Sequence, residues 1–151
     1  MKKMIILTSM ILAMAALAAN VLAATSTASV TVPASCGLAA TDIAFGSLST
    51  GATSSDVTST VSMPSGNTAV TPTISGLPWS GNPSGSMVVG QTHWYMSDVA
   101  YGSMTTLTNA PVSIGQQVSY GSSKTVHFKL QIPNDQAAAS YTQTITFTAT
   151  C

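Results

Sequence analysis

Apolar and polar positions alternate along most of this chain, most clearly near its C-terminus. Val126, Phe128, Leu130 and Ile132 interleave with Thr125, His127, Lys129 and Gln131. After the turn chemistry of Pro133, Asn134, Asp135 and Gln136, the residues Tyr141, Ile145, Phe147, Ala149 and Cys151 interleave with Thr142, Thr144, Thr146, Thr148 and Thr150. Successive side chains of a strand point to opposite faces, so a period of two predicts two strands with one face in a core and the other in water. Shorter stretches repeat the pattern. Ala28, Val30 and Val32 alternate with Ser29 and Thr31 before Pro33, and Ile43 and Phe45 precede Gly46. Val57, Val61 and Met63 precede the turn Pro64-Ser65-Gly66-Asn67. Val70 and Ile74 flank Pro72, which suits an edge strand or a bulge. Residues 87–89, 93–96, 112–114 and 118–120 complete the candidates.

Helical periodicity is confined to the N-terminus. Lys2 and Lys3 precede an apolar run from Met4 to Ala19, which exits through Asn20, Val21, Leu22, Ala23 and Ala24. A short basic stretch, an apolar core and a small-residue exit make residues 1–23 a secretory signal peptide, cleaved after Ala23 or alternatively Ala24. The run is short for a bilayer core of about 30 Å, and no cationic cluster follows it, so no membrane attachment is expected after cleavage. Residues 24–151 then hold seven to nine short strands with turns about every ten residues. Such a chain is expected to be all-β, an antiparallel immunoglobulin-like β-sandwich.

Charge narrows the function. Only 5% of residues are charged and the formal net charge is zero. Past the signal peptide, Lys124 and Lys129 stand against Asp42, Asp56, Asp98 and Asp135, with no Arg or Glu anywhere. Nucleic-acid binding needs several cations on one face to neutralise phosphates, and is excluded as an expectation. Polybasic attachment to anionic lipid is excluded for the same reason. Disorder, which pairs low hydrophobicity with high net charge, does not fit a chain that is 45% apolar.

Cys36 and Cys151 are the only cysteines. An even count in an exported chain points to a disulfide, the alternatives being two thiols or an intermolecular bond through Cys151. The bond would close nearly the whole body, residues 36–151, into one ring and leave residues 24–35 outside it as an N-terminal arm. That uncharged, small-residue arm can pair in its own sheet. It can also add as a strand, through Ala28, Val30 and Val32, to an open edge of the next subunit, a contact that does not close and so builds filaments.

Little else in the sequence suggests chemistry. His127 shares the outward register of Lys129, a solvated face. His93 lies beside Trp94 and Tyr95, with Asp98 the nearest carboxylate, which falls short of the three or four convergent ligands of a metal site. No Gly-x-Ser-x-Gly elbow is present, and paired catalytic carboxylates would have to come from four scattered aspartates. No catalytic residue, metal or cofactor is therefore expected. The aromatics Trp79, Trp94, Tyr95 and Tyr101 offer either a core cap or a sugar-stacking platform.

The stretch Val32-Pro33-Ala34-Ser35-Cys36-Gly37-Leu38, followed by Ile43-Ala44-Phe45-Gly46-Ser47-Leu48, resembles the opening of spore coat protein U-type and pilin-like secreted sandwiches. The closing Leu130-Gln131-Ile132-Pro133 and Ser140-Tyr141-Thr142-Gln143-Thr144-Ile145-Thr146-Phe147 is similar to their final hairpin, with Ser140 where Gly is usual. Together these cover about a third of residues 24–151. A departure is the second cysteine, which stands at the C-terminus where those families place it early. The resemblance implies an immunoglobulin-like fold, export to the cell surface, and assembly into fibres by strand exchange between copies. The leading expectation is thus a structural subunit of an extracellular filament, pilus or coat. The alternative is a secreted carbohydrate-binding or adhesin module with a glycan as partner.

Overall fold

In the computed structural model of the chain, residues 28–96 and 103–151 are described. The expected signal peptide and Tyr101 lie outside them. The chain divides after Val32 into two compact units, and the second, residues 33–151, holds every strand among the described residues.

There are eleven of these strands: β1 (Cys36–Ala40), β2 (Val57–Gly66), β3 (Thr73–Gly76), β4 (Trp79–Asn82), β5 (Ser86–Met87), β6 (Thr92–Tyr95), β7 (Thr105–Thr106), β8 (Val112–Ser113), β9 (Ser123–Leu130), β10 (Ser140–Thr142) and β11 (Ile145–Thr148). The remaining element is a short 3-10 turn, Val89–Gln91. Every pairing is antiparallel. A five-stranded sheet runs β1-β2-β9-β6-β7, and two three-stranded sheets run β10-β4-β5 and β11-β3-β8. The all-β sandwich is as the alternation predicts. The count exceeds seven to nine because short two-residue pieces such as β5 and β7 pair separately.

The core lies between the sheets. Val61, Trp94, Val126 and Phe128 of the five-stranded sheet, with Leu107 just past β7, pack with Ile74 and Ile114 from the opposite side. Phe128 is the largest of the core's fully buried side chains, in the inward register expected for β9. A second cluster joins Leu130 of β9 to Trp79 and Met87 of β4 and β5, so the same strand also contacts the other small sheet. Met63, Val70 and Val118 close a third cluster nearer the disulfide.

Three expectations need correction. Pro72 does not mark an edge: it ends the bridge segment at Val70, and β3 begins after it, between β11 and β8. Residues 28–32 belong to no strand, although their alternation suits one. Ile43 and Phe45 also lie outside any strand. β1 leaves β2 at Thr41, whose carbonyl accepts from the Ser59 hydroxyl at 2.7 Å, and the chain beyond it runs without a ladder partner.

Candidate functional site

The final segment forms one nearly continuous strand in two parts. β10 pairs with β4 and β11 pairs with β3, and the ladder breaks at Gln143 and Thr144. Both parts are the outermost strands of their sheets. Their free edge therefore presents unpaired backbone over residues 140–148. Proteins usually defend such an edge with Lys, Pro or inward charges, yet residues 137–150 contain no charge and no proline.

Across from this edge runs the segment that follows β1, residues 41–48. The two banks enclose a groove of about 1000 Å³. Half-buried Ile43, Phe45 and Leu48 form one bank, Tyr141, Ile145 and Phe147 the other, and Trp79, Met87, Leu130 and Ile132 line the floor. The banks run antiparallel: Leu38 packs in the cluster that includes Ala149, whereas Phe45 and Leu48 pack in the one that includes Tyr141. At one end they are joined covalently by the disulfide Cys36–Cys151, with Cα atoms 5.8 Å apart. The predicted alternation of the last strand is present, but Ile145, Phe147 and Ala149 are only half-buried. They face a core that lacks a covering strand.

A polar relay secures the floor. Trp79 Nε1 donates to Thr92 Oγ1 at 2.9 Å, and that hydroxyl donates to Gln143 Oε1 at 2.8 Å. Gln143 Nε2 in turn donates to the Leu77 carbonyl at 2.8 Å. Thr92 belongs to the five-stranded sheet and Gln143 to the break between β10 and β11, so the relay ties the free edge across the sandwich. The Phe45 ring meets Trp79 edge-on, with centroids 5.8 Å apart, which links the first bank to the same floor. Neither the relay nor the groove was legible in the sequence, because the segments that build them lie up to about a hundred residues apart.

Among the described residues, the sequence-derived aromatic candidates do not share an exposed face. Trp79 and Trp94 are buried in separate core clusters between the layers, whereas Tyr95 is buried on the opposite face of the five-stranded sheet, against His127. Tyr101 is outside the described residues. The arm candidates are placed oppositely: Val30 is 89% exposed and Val32 69%, and Ala28 is exposed.

On the outer face of the five-stranded sheet, His127 Nδ1 donates to Asp56 Oδ2 at 2.7 Å, and its ring stacks on Tyr95 with centroids 4.8 Å apart. The solvated face expected at His127 is thus half-buried and paired with Asp56, a partner 71 residues away that the sequence did not suggest. Partial burial pushes the Asp56 carboxyl upward, but hydrogen bonds from His127 and Tyr95 and the charges of His127 and Lys129 outweigh it and hold the group below its ordinary range. A carboxyl lowered on folding stabilises the protein above its unfolded value of about 3.9 and loses that effect as pH falls through the folded value. The stability difference between wild type and Asp56→Asn, followed by denaturant midpoint, should therefore shrink between about pH 5 and pH 2. A difference constant over that range would contradict the pairing.

His93 contacts Thr106 Oγ1 at 3.3 Å. Among the described residues no cluster of three His, Cys, Asp or Glu could hold a metal, and no helix is long and apolar enough to cross a membrane.

No protein-family model matches the chain, and no curated protein matches it. Among solved structures, a family 123 glycoside hydrolase from Clostridium perfringens aligns with a TM-score of 0.46 at 11% identity, over 67% of this chain and 19% of that one. The chain thus spans about a fifth of that protein's length, and a likeness at this level carries no functional argument.

Proposed function

We propose that this protein is a structural subunit of an extracellular filament, pilus or coat, whose copies join by strand addition. The observation that carries the reading is the undefended edge of residues 140–148 beside a groove lined by half-buried apolar side chains. An incomplete core of this kind is filled by an extended segment that hydrogen-bonds to the edge and sets alternate side chains into the groove. The chain has one segment of that character. The arm, residues 24–35, is uncharged, is exposed over its described residues 28–35, and alternates Ala28, Val30 and Val32 with small polar residues. At about 3.3 Å per residue its nine positions ahead of Pro33 match the nine of the edge. Donor at one end and acceptor along the body make a head-to-tail contact, which propagates instead of closing.

Export fits the same reading. The basic-apolar-small pattern of residues 1–23 is a secretory signal, and the disulfide suits an oxidising, extracellular compartment. Low charge adds little repulsion between copies.

Burying one valine side chain is worth about 1.5–3 kcal/mol, so Val30→Asp should weaken association between mature chains by at least roughly tenfold. Sedimentation of the wild-type and Val30→Asp chains at matched concentration, with circular dichroism to verify the fold, provides the test. Equal association of the two chains would remove the donor role of Val30.

A further inference from the structure

The root of the arm is held in a way that bears on whose groove the arm can enter. Residues 33–35 continue the line of β1 and are gripped by Asn67, just beyond the end of β2. Asn67 Oδ1 accepts from the Ser35 backbone N–H at 2.8 Å, and Asn67 Nδ2 donates to the Pro33 carbonyl at 2.9 Å. The backbone N–H groups of Asn67 and Thr68 both donate to the Ser35 carbonyl, at 2.9 and 3.3 Å. Gly66 allows this approach. Its φ is +129°, and a Cβ there would sit 2.6 Å from the Ser35 carbonyl oxygen and 2.8 Å from Cys36 Cα. One side chain and two backbone amides thus fasten the last three residues before the disulfide to the β2 side of β1, opposite the bank that faces the groove.

We propose that Asn67 is a clamp that bars the arm from the groove of its own chain and so commits it to a second copy. The inference rests on the strand-addition reading above. To enter its own groove, the arm would have to reverse direction at the end where Cys36–Cys151 joins the banks. With residues 33–35 fixed, the reversal falls on residues before Pro33. Val32 precedes a proline and is therefore held extended, which pushes the turn further back. A turn over residues 28–31 uses up Val30 and Ala28 and leaves only residues 24–27 beyond it, with no large apolar side chain to fill the groove. Without the Asn67 side chain only the Ser35 carbonyl stays held, by the Asn67 and Thr68 amides, so the turn can fall between Pro33 and Ser35 and Val30 and Val32 return to the folded-back arm.

The test is binding of a synthetic peptide of residues 24–35 to the mature chain, diluted until it is monomeric. With the clamp intact, the full chain and a chain beginning at Pro33 should bind the peptide equally, because no tethered arm competes. Asn67→Ala should weaken peptide binding to the full chain by tenfold or more, since a tethered competitor acts at roughly millimolar effective concentration. The same substitution should leave the chain beginning at Pro33 unaffected, which controls for loss of fold. Asn67→Asp keeps the acceptor for Ser35 and loses the donor to Pro33, and should fall between. Weaker binding to the wild-type full chain than to the shortened one would overturn the clamp, as would an Asn67→Ala chain that binds like wild type. Absence of peptide binding to the shortened chain would instead overturn the strand-addition reading beneath it.

Discussion

A chain beginning at Pro33 should remain folded and lose self-association altogether. Residues 33–151 form a compact unit with their own three clusters and the disulfide. Among the described residues, no buried core residue lies in the arm. Truncation therefore removes exposed side chains and should cost little stability, because surface changes away from caps and cores commonly fall within about 0.5 kcal/mol. Its effect on assembly should be complete, since the groove keeps its shape but has no strand to receive. The check is a comparison of thermal midpoints with electron microscopy of both chains at assembly concentrations. Fibres formed by the truncated chain would rule out the arm as donor.

The second large effect concerns the disulfide. Cys36 and Cys151 are 115 residues apart, and in the chain-entropy model a ring of that size contributes about 4–5 kcal/mol. Small domains have net stabilities of only about 5–15 kcal/mol, so replacing both cysteines by serine should remove about a quarter of the total or more. The location gives the loss a second consequence. The bond is the covalent tie between the banks, and without it the C-terminal end of β11 is held chiefly by its ladder to β3. Denaturant unfolding of the Cys36→Ser/Cys151→Ser chain should shift by several kcal/mol, and amide exchange should rise first at residues 145–150. A shift below about 1 kcal/mol would mean that the ring contributes little to stability.

Much of the fold was legible because period-two alternation reports burial directly. β9 is the clearest case, with Val126, Phe128 and Leu130 inward as the pattern requires. β1 and β4 were not legible: Cys36-Gly37-Leu38-Ala39-Ala40 and Trp79-Ser80-Gly81-Asn82 have no alternation, and they become strands because β2, β5 and β10 pair with them. Ile43 and Phe45 show the reverse, a strand pattern without a strand, since β1 has left β2 and nothing pairs with the chain beyond. The same vacancy leaves Ile145 and Phe147 half-buried. Local sequence carries the preference for a strand, whereas pairing depends on a neighbour that is often far along the chain. The aromatics misled as ligand candidates for a related reason: an indole suits a sugar and a core equally, and the layers took Trp79 and Trp94 inward.

If the groove between residues 41–48 and the edge 140–148 receives the arm of a second copy, an isolated arm should bind there too. NMR titration of the isotope-labelled chain beginning at Pro33 with the unlabelled peptide of residues 24–35 shows this residue by residue. Saturable one-to-one binding is expected, with shifts concentrated at Ile43, Phe45, Leu48 and residues 140–148, and new exchange protection along that edge. Binding that shifts other surfaces while leaving 140–148 unchanged, or no binding at millimolar peptide, would contradict strand addition at this groove.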